Sequence, residues 1–525
     1  MSITERVKYS SNFITCKLER FFKIAKSLPQ LIQIYGGVLG ALRMILAVFE
    51  REGLGGIHAR LVKRGRHRDY TEWIHCYDTL TDEIQTIMRE RVNVMAQRPL
   101  ISVVMPTYNG NPKWLIEAIE SVRKQIYSYW ELCIADDAST DKAIRPILER
   151  YAREDSRIKV AFREQNGHIS AVSNSALNLA TGEWVALLDH DDILAESALF
   201  LVADAINQHP DVRLIYSDED KIDEAARRFD PYFKCDWNID LFYSHNLISH
   251  LGIYRADLLS TVGDFRLGFE GSQDYDLALR CIEHIEPKQI HHISRVLYHW
   301  RMHAQSMAQS ADAKPYAMLA GEKALNEHFQ RQKIHAKAEL VGHGYRVRYS
   351  LPDNPPMVSL IIHARNGLQL IRKCVESILE RTTYPNYEIL IIDNDSDNPA
   401  TLQYLDELQT DARVRVVRDE RPFNYSALNN SAVKLARGEL VGLLNNDLVV
   451  ISPDWLSEMV SIALQSRVGA VGARLWFPDE TLQHGGIILG LGTSRVGGTR
   501  TIIYPNPTII MVTLAVQPSS TLFQP

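Results

Sequence analysis

The chain repeats itself at long range. ISVVMPTYNG at Ile101–Gly110 returns as VSLIIHARNG at Val358–Gly367, and ELCIAD at Glu131–Asp136 returns as EILIID, 257 positions later (131 to 388). SAVSNSALNLATGEWVALLDHD from Ser170 returns as SALNNSAVKLARGELVGLLNND from Ser426, 256 positions later (170 to 426). One net deletion over such a span is not chance, and a period this long means tandem domains rather than a solenoid. Whatever fold the first copy adopts must therefore be built twice. A Pro-rich stretch at Pro352–Pro356 marks the join.

Within the repeat, short β-branched runs alternate with helical stretches, the pattern of βαβ units and a mostly parallel sheet. The first copy predicts strands at Ile101–Met105, Glu131–Ala135, Ile158–Phe162 and Trp184–Leu188. Helices are expected at Pro112–Lys124, Lys142–Arg153 and Ala171–Ala180, the last capped by Ser170 and closed by Gly182. The plan is a helical region over 1–98, an α/β domain over 99–330, a linker over 331–356 and a second α/β domain over 357–525. A length of 525 residues, 46% hydrophobic, supplies several cores.

A net charge of −6 gives no reason to expect a nucleic-acid partner. The six cysteines are scattered singly with no C-x-x-C pair, so reduced thiols in a cytoplasmic setting are expected. No apolar run ends in a cleavage site, which argues against a secretory signal. Leu31–Phe49 is largely apolar, but Gln33, Arg43 and three glycines interrupt it. It follows a basic amphipathic run with Lys17, Arg20, Lys23 and Lys26 that could lie on the anionic inner face of the plasma membrane. The alternative is an ordinary helix packed on the next domain. A second basic cluster, Arg60, Lys63, Arg64, Arg66 and Arg68, carries no recognisable chemistry.

Ligands of open parallel sheets sit outside the carboxyl ends of the strands, and the polar motifs fall there. Pro106-Thr107-Tyr108-Asn109 follows the first strand and could line a base pocket. Asp136 and Asp137 end the second and could accept from ribose hydroxyls or a base N–H, although Asp before Ala-Ser-Thr is also a good helix cap. Asp189-His190-Asp191-Asp192 follows the strand WVALL directly. Several carboxylates at a buried strand end repel one another and lose solvation unless a cation offsets them. Oxygen ligands select a hard ion such as Mn²⁺ or Mg²⁺, and Asp189 with Asp191 are the candidate pair. In Glu270-Gly271-Ser272-Gln273-Asp274, Ser272 is the expected N-cap, with Asp274 ionised in the first helical turn and suited to general-base work; completion of the cap by Gln273 and Asp274 is the plain alternative. Glu270, Gln273, His299, Arg301 and His303 are candidates for contact with a diphosphate or an acceptor. Asp218-Glu219-Asp220 is a rival metal site, though most such runs are solvated loops.

The order PTYN, DDAST, LLDHDD, EGSQDYDL, YHWR resembles family 2 glycosyltransferases of GT-A fold, especially bacterial enzymes of O-antigen and other surface-polysaccharide assembly. The resemblance runs over Leu100–Phe329 in full and Met357 to about Gly490 in part. It implies nucleotide contacts from Asp136 and Asp137, a D-x-D metal and ribose site at Asp189 and Asp191, and Asp274 as base of an inverting transfer. It further implies a nucleotide-sugar donor and a glycan or lipid-linked acceptor. Gln273 departs from the Glu that many members carry. The Q-x-x-R-W motif of processive synthases is missing, so one transfer per encounter is expected.

The second copy reads as compromised: Asn394 replaces Asp137, and Asn445-Asn446-Asp447 replaces the acidic cluster. The equivalent of Asp274 would fall at 530, past residue 525, and the stretch from Arg500 shows no clear periodicity, so this copy is expected to be incomplete. Two other readings stand beside glycosyl transfer. A sugar nucleotidyltransferase should show a glycine-rich loop with Arg and Lys after its first strand, which PTYNGN does not offer. A non-catalytic nucleotide-sugar-binding or scaffold protein is the other.

Overall fold

The computed structural model describes residues 70–302, 315–342 and 344–485. The apolar stretch Leu31–Phe49, both N-terminal basic clusters, His303 and the tail from Arg500 lie outside the described residues.

The first sheet is built from β1 (Ile101–Thr107), β2 (Trp130–Asp136), β3 (Ile158–Phe162), β4 (Trp184–Leu187), β5 (Ile193–Leu194), β6 (Leu214–Ile222), β7 (Arg228–Tyr232), β8 (Gly252–Arg255) and β9 (Ile290–Arg301). Its order is β3-β2-β1-β4-β8-β6-β9-β5, with β7 on the side of β6. Pairing is parallel from β3 to β4 and between β6 and β9, and antiparallel where β8 enters between β4 and β6. β1 and β2 are buried along their whole length, as continuous apolar runs at the centre of a parallel sheet must be. Helices Pro112–Arg123 and Ile144–Glu154 lie close to the expected ranges.

One helix begins earlier than expected. It spans His168–Leu177 with Gly167 at its N-cap position, so Ser170 is a buried interior residue and not the cap. The Asp137 carboxylate takes the Gly167 N–H instead, at 2.9 Å.

A buried polar clasp holds the parallel strands together. Glu131 accepts from Ser102 Oγ (2.6 Å), Thr181 N (2.5 Å) and Thr181 Oγ1 (2.9 Å), and pairs with Lys159 Nζ at 2.6 Å. Burial opposes ionisation of Glu131, but these bonds overcome it and hold its pKa at about 2. Beside the clasp a Cβ on Gly182 would sit 2.5 Å from Leu100 O, which leaves room only for glycine.

The same design recurs in the second copy. β12 (Val358–Ala364), β13 (Tyr387–Asp393), β14 (Val414–Arg418) and β15 (Leu440–Leu444) form an all-parallel sheet of order β14-β13-β12-β15. Ser359 Oγ donates to Glu388 at 2.7 Å, and Gly438 faces Met357 O as Gly182 faces Leu100 O.

Contacts divide the chain into two compact units. One runs to Ala324 apart from Tyr243–His245; the other takes those three residues and the chain from Leu325. The expected linker over 331–356 holds an antiparallel hairpin, β10 (Ala336–Val341) with β11 (Gly344–Tyr349). It is tied into its own unit: Arg348 pairs with Asp454 and Glu458, and Arg346 reaches Glu458 at 3.0 Å.

Candidate active site

The first edge of the site forms where β1 and β2 end in register, Thr107 opposite Asp136. Pro106 lies in the buried strand and Tyr108 is 45% exposed at the rim. Asn109, with φ of +45°, is a latch: its Oδ1 accepts from Thr140 N (2.8 Å) and Asp141 N (3.0 Å), fixing the PTYNG loop to the DDAST loop. Asp136 Oδ2 accepts from Ser139 N at 3.1 Å, the cap-like bond the sequence allowed. Its Oδ1 and the Thr107 Oγ1 are buried without a hydrogen-bond partner. Two such atoms on strand residues in register are costly unless a ligand uses them.

Asp137 is placed differently from its neighbour. Its side chain is 1% exposed, and Oδ1 accepts from Arg163 Nε (2.8 Å) and Gly167 N (2.9 Å). As arranged, both of its oxygens serve the start of the helix His168–Leu177.

The acidic strand end gathers differently from a D-x-D pair. One ligand atom from each of Asp189, Asp192 and His250 lie within 4.8 Å of one another, and Asp191 is not in that group. β8 enters the sheet next to β4, which brings His250, two residues before it, against the β4 terminus. Asp192 is held by Tyr298 Oη (2.5 Å) and the Arg301 N–H (2.7 Å), and Tyr298 Oη also accepts from Asp189 N at 3.2 Å. Burial, then the charges of Asp191 and Asp189, push the Asp192 carboxyl well above its ordinary range. Burial raises Asp189 too, with His250 opposing the rise. Two carboxylates and an imidazole that relieve one another poorly are a donor set fitted to a divalent cation.

Asp274 lies in the first turn of the helix Gln273–Ile282. Asn246 Nδ2 donates to its Oδ2 at 2.8 Å. The helix start was expected to keep Asp274 readily ionised; instead burial dominates and raises its pKa, with the Asp189 charge adding to the rise and His250 and local N–H groups opposing it. Ser272 occupies the N-cap position, but its hydroxyl donates to Ala317 O (2.7 Å). Gln273 closes the turn by accepting from Gly271 N at 2.7 Å, so it serves the cap. Glu270 accepts from Gly268 N with both oxygens.

His299 and Arg301 are not presented to a diphosphate. His299 is buried with Nδ1 2.6 Å from Asp220 Oδ1. The Arg301 side chain is fully buried, donating to Asp191 O (2.7 Å) and Asp223 O (3.3 Å) and pairing with Glu117 (2.7 Å). Both brace the site from behind. Nor is Asp218-Glu219-Asp220 a solvated loop. It lies in β6, buried, with Asp218 on His292, Glu219 on Lys234, and Asp220 on His299, Arg228 and Tyr70.

The sequence model of Glycosyl transferase family 2 matches residues 102–263 and again 359–509. The chain belongs to glycosyl transferase family 2. The family 2 match falls on both copies of the repeat, and the architecture is the GT-A one. Similar proteins include the uncharacterized protein y4gI of Sinorhizobium fredii, 51% identical over 422 residues, 80% of this chain and 46% of that protein. The O-antigen biosynthesis protein RfbC of Myxococcus xanthus is 38% identical over 409 residues, 77% of this chain and 32% of that protein. This family 2 chain thus spans less than half the length of either relative. Among solved structures, S. aureus TarS 1–349 in complex with UDP-GlcNAc is 23% identical with a TM-score of 0.36, over 44% of this chain and 72% of that one.

Proposed function

We propose that the first copy moves a sugar from a nucleotide-diphospho-sugar to a hydroxyl of a growing surface polysaccharide or lipid-linked glycan, with inversion at the anomeric carbon. One observation carries the reading: Asp274 and Asp189 come from distant parts of the chain, yet the Asp189 charge reaches Asp274 and His250 acts on both. A proton acceptor thus adjoins an acidic group fitted to a cation.

The base of the donor would sit on Asp136 Oδ1 and Thr107 Oγ1, whose unmet bonding capacity suits a ring N–H and a neighbouring polar atom. Asp189, Asp192 and His250 would hold the divalent ion, and the imidazole favours Mn²⁺ over Mg²⁺. Such an ion, when bound, neutralises charge on the diphosphate. Asp274 takes the proton of the acceptor hydroxyl as that oxygen attacks the anomeric carbon from the face opposite the diphosphate. The new glycosidic bond forms as the bond to phosphate breaks, and the nucleoside diphosphate leaves. The raised pKa of Asp274 makes it a stronger base than an ordinary carboxylate. Each encounter adds one sugar. In this reading the chain works at the cytoplasmic face of the membrane, with the basic run Lys17–Lys26 against anionic lipid.

The test is Asp274→Asn, assayed for sugar transfer and donor hydrolysis across UDP-, dTDP- and GDP-sugars. A fall of about 100-fold or more with donor binding kept is expected. Near-normal turnover removes Asp274 from the mechanism, and nucleotide binding without turnover in the unaltered chain favours the scaffold reading.

A further inference from the structure

The repeat supplies an internal control, because matching strand positions can be compared across the two copies. In the first, Thr107, Asp136 and Phe162 stand in register across β1, β2 and β3; in the second, Ala364, Asp393 and Arg418 stand in register across β12, β13 and β14. Both aspartates accept from a serine N–H three residues on, Ser139 at 3.1 Å and Ser396 at 3.2 Å. There the likeness ends. Asp136 keeps a buried oxygen without a partner, and Phe162 lies under the Arg145 guanidinium, 3.9 Å away. Asp393 gives its second oxygen to Arg418 Nη1 at 2.9 Å. The same guanidinium donates to Ser396 O (3.0 Å), Asp395 (2.9 Å) and Glu420 (3.3 Å), so four acceptors fix it over the carboxylate. Ala364 removes the hydroxyl that Thr107 presents.

A second difference is independent of the first. Asp189 and Asp192, the two carboxylates of the cation group, correspond to Asn445 and Leu448, 256 positions on. An amide carries no charge to neutralise, and Leu448 packs against the apolar core of its own unit. Base contact and cation contact are thus both missing from one copy.

We infer that the chain holds a single nucleotide site, in the first copy, and that Arg418 fills the corresponding place in the second as an internal ligand of Asp393. This rests on the donor reading above. It makes the second copy a module kept for something other than turnover, in a chain where the duplicated strands are otherwise built alike.

The experiment is calorimetric titration of the whole chain with UDP, GDP and dTDP in the presence of Mn²⁺. One site per chain is expected for the nucleotide that binds, with Asp136→Asn abolishing it and Asp393→Asn leaving its affinity unchanged. Thr107→Ala installs the side chain the second copy already carries, and should weaken the single site by roughly tenfold even if Asp136→Asn does not fold. Two sites per chain, or a site that survives Asp136→Asn and disappears in Asp393→Asn, would overturn the inference while leaving the donor reading standing. Binding of no nucleotide at all would overturn both.

Discussion

Asn246 donates from its side-chain amide to Oδ2 of Asp274 across 2.8 Å, joining the loop before β8 to the helix that carries the proposed base. The bond fixes which carboxylate oxygen is tethered, and so how the other is aimed. Asn246 itself accepts from Ser249 N at 3.2 Å, so the amide orientation is set. Asn246→Ala should lower kcat for transfer by about tenfold, the effect of one orienting hydrogen bond, with the donor KM little changed. Steady-state kinetics with donor varied checks the split; an unchanged kcat would show that Asp274 is aimed by other contacts.

Acid stability follows from the clasp around Glu131. Its folded pKa of about 2 lies below the ordinary 4.5, so the unfolded chain binds the proton first as pH falls. The clasp's contribution is complete above about pH 4.5 and is lost as pH drops toward 2. The full difference is on the order of 3 kcal/mol. Glu131→Gln should lower Tm at pH 7 and flatten the dependence of Tm on pH over that window, as differential scanning calorimetry would report.

Close approach at the same corner gives a steric prediction. A methyl on Gly182 would stand 2.5 Å from Leu100 O and 2.6 Å from Ser102 Oγ, and the first is backbone that cannot swing away. Gly182→Ala should destabilise by about 2–3 kcal/mol, read as a shift in urea midpoint. Gly438→Ala should do the same in the second copy, where Met357 O lies at 2.6 Å.

How much of this was legible in the chain depends on the range of the interactions. ISVVMPT and WELCIAD announce central parallel strands because burial on both faces demands continuous apolar runs, and the same runs occur again in the second copy. The hairpin over 336–349 has its own pattern, since AKAELV and GYRVRY alternate on either side of a glycine turn, but its strands are short and the prolines at 352–356 mark a linker more strongly. His250 carried no local mark at all. It joins Asp189 only because β8 inserts antiparallel between β4 and β6, a pairing set by the whole sheet. Asn246 was hidden for the same reason. His299 and Arg301 looked like anion ligands by residue type, yet type does not say which face of β9 they occupy, and both turn to carboxylates inside the protein. Asp218–Asp220 misled in the opposite sense: its charges looked solvated because their partners, Lys234, Arg228, His292 and His299, lie elsewhere in the chain.

Arg301 invites a substitution that separates bracing from ligand binding. Its guanidinium is fully buried and serves Glu117, Asp191 O and Asp223 O, while its N–H holds Asp192. Arg301→Met leaves the N–H but strips the buried charge from Glu117, and should cost about 3 kcal/mol or more in stability. If Arg301 instead served a diphosphate, the variant would keep its Tm and lose only donor affinity, so thermal unfolding beside nucleotide titration decides between the two.

The sharpest division falls between adjacent aspartates. Resemblance to the family assigns the cation to Asp189 and Asp191, whereas the geometry groups Asp189 with Asp192 and His250. Asp192 is buried, held in orientation by Tyr298 and Arg301, and raised in pKa by burial and its acidic neighbours, the state a cation would relieve. Asp192→Asn should therefore weaken Mn²⁺ binding by about tenfold or more, and His250→Ala by a comparable factor, while Asp191→Asn should change it less than either. Mn²⁺ titration followed by electron paramagnetic resonance measures each directly, without any substrate. A loss confined to Asp189→Asn and Asp191→Asn would return the site to the D-x-D pair and leave His250 to act on Asp274 alone.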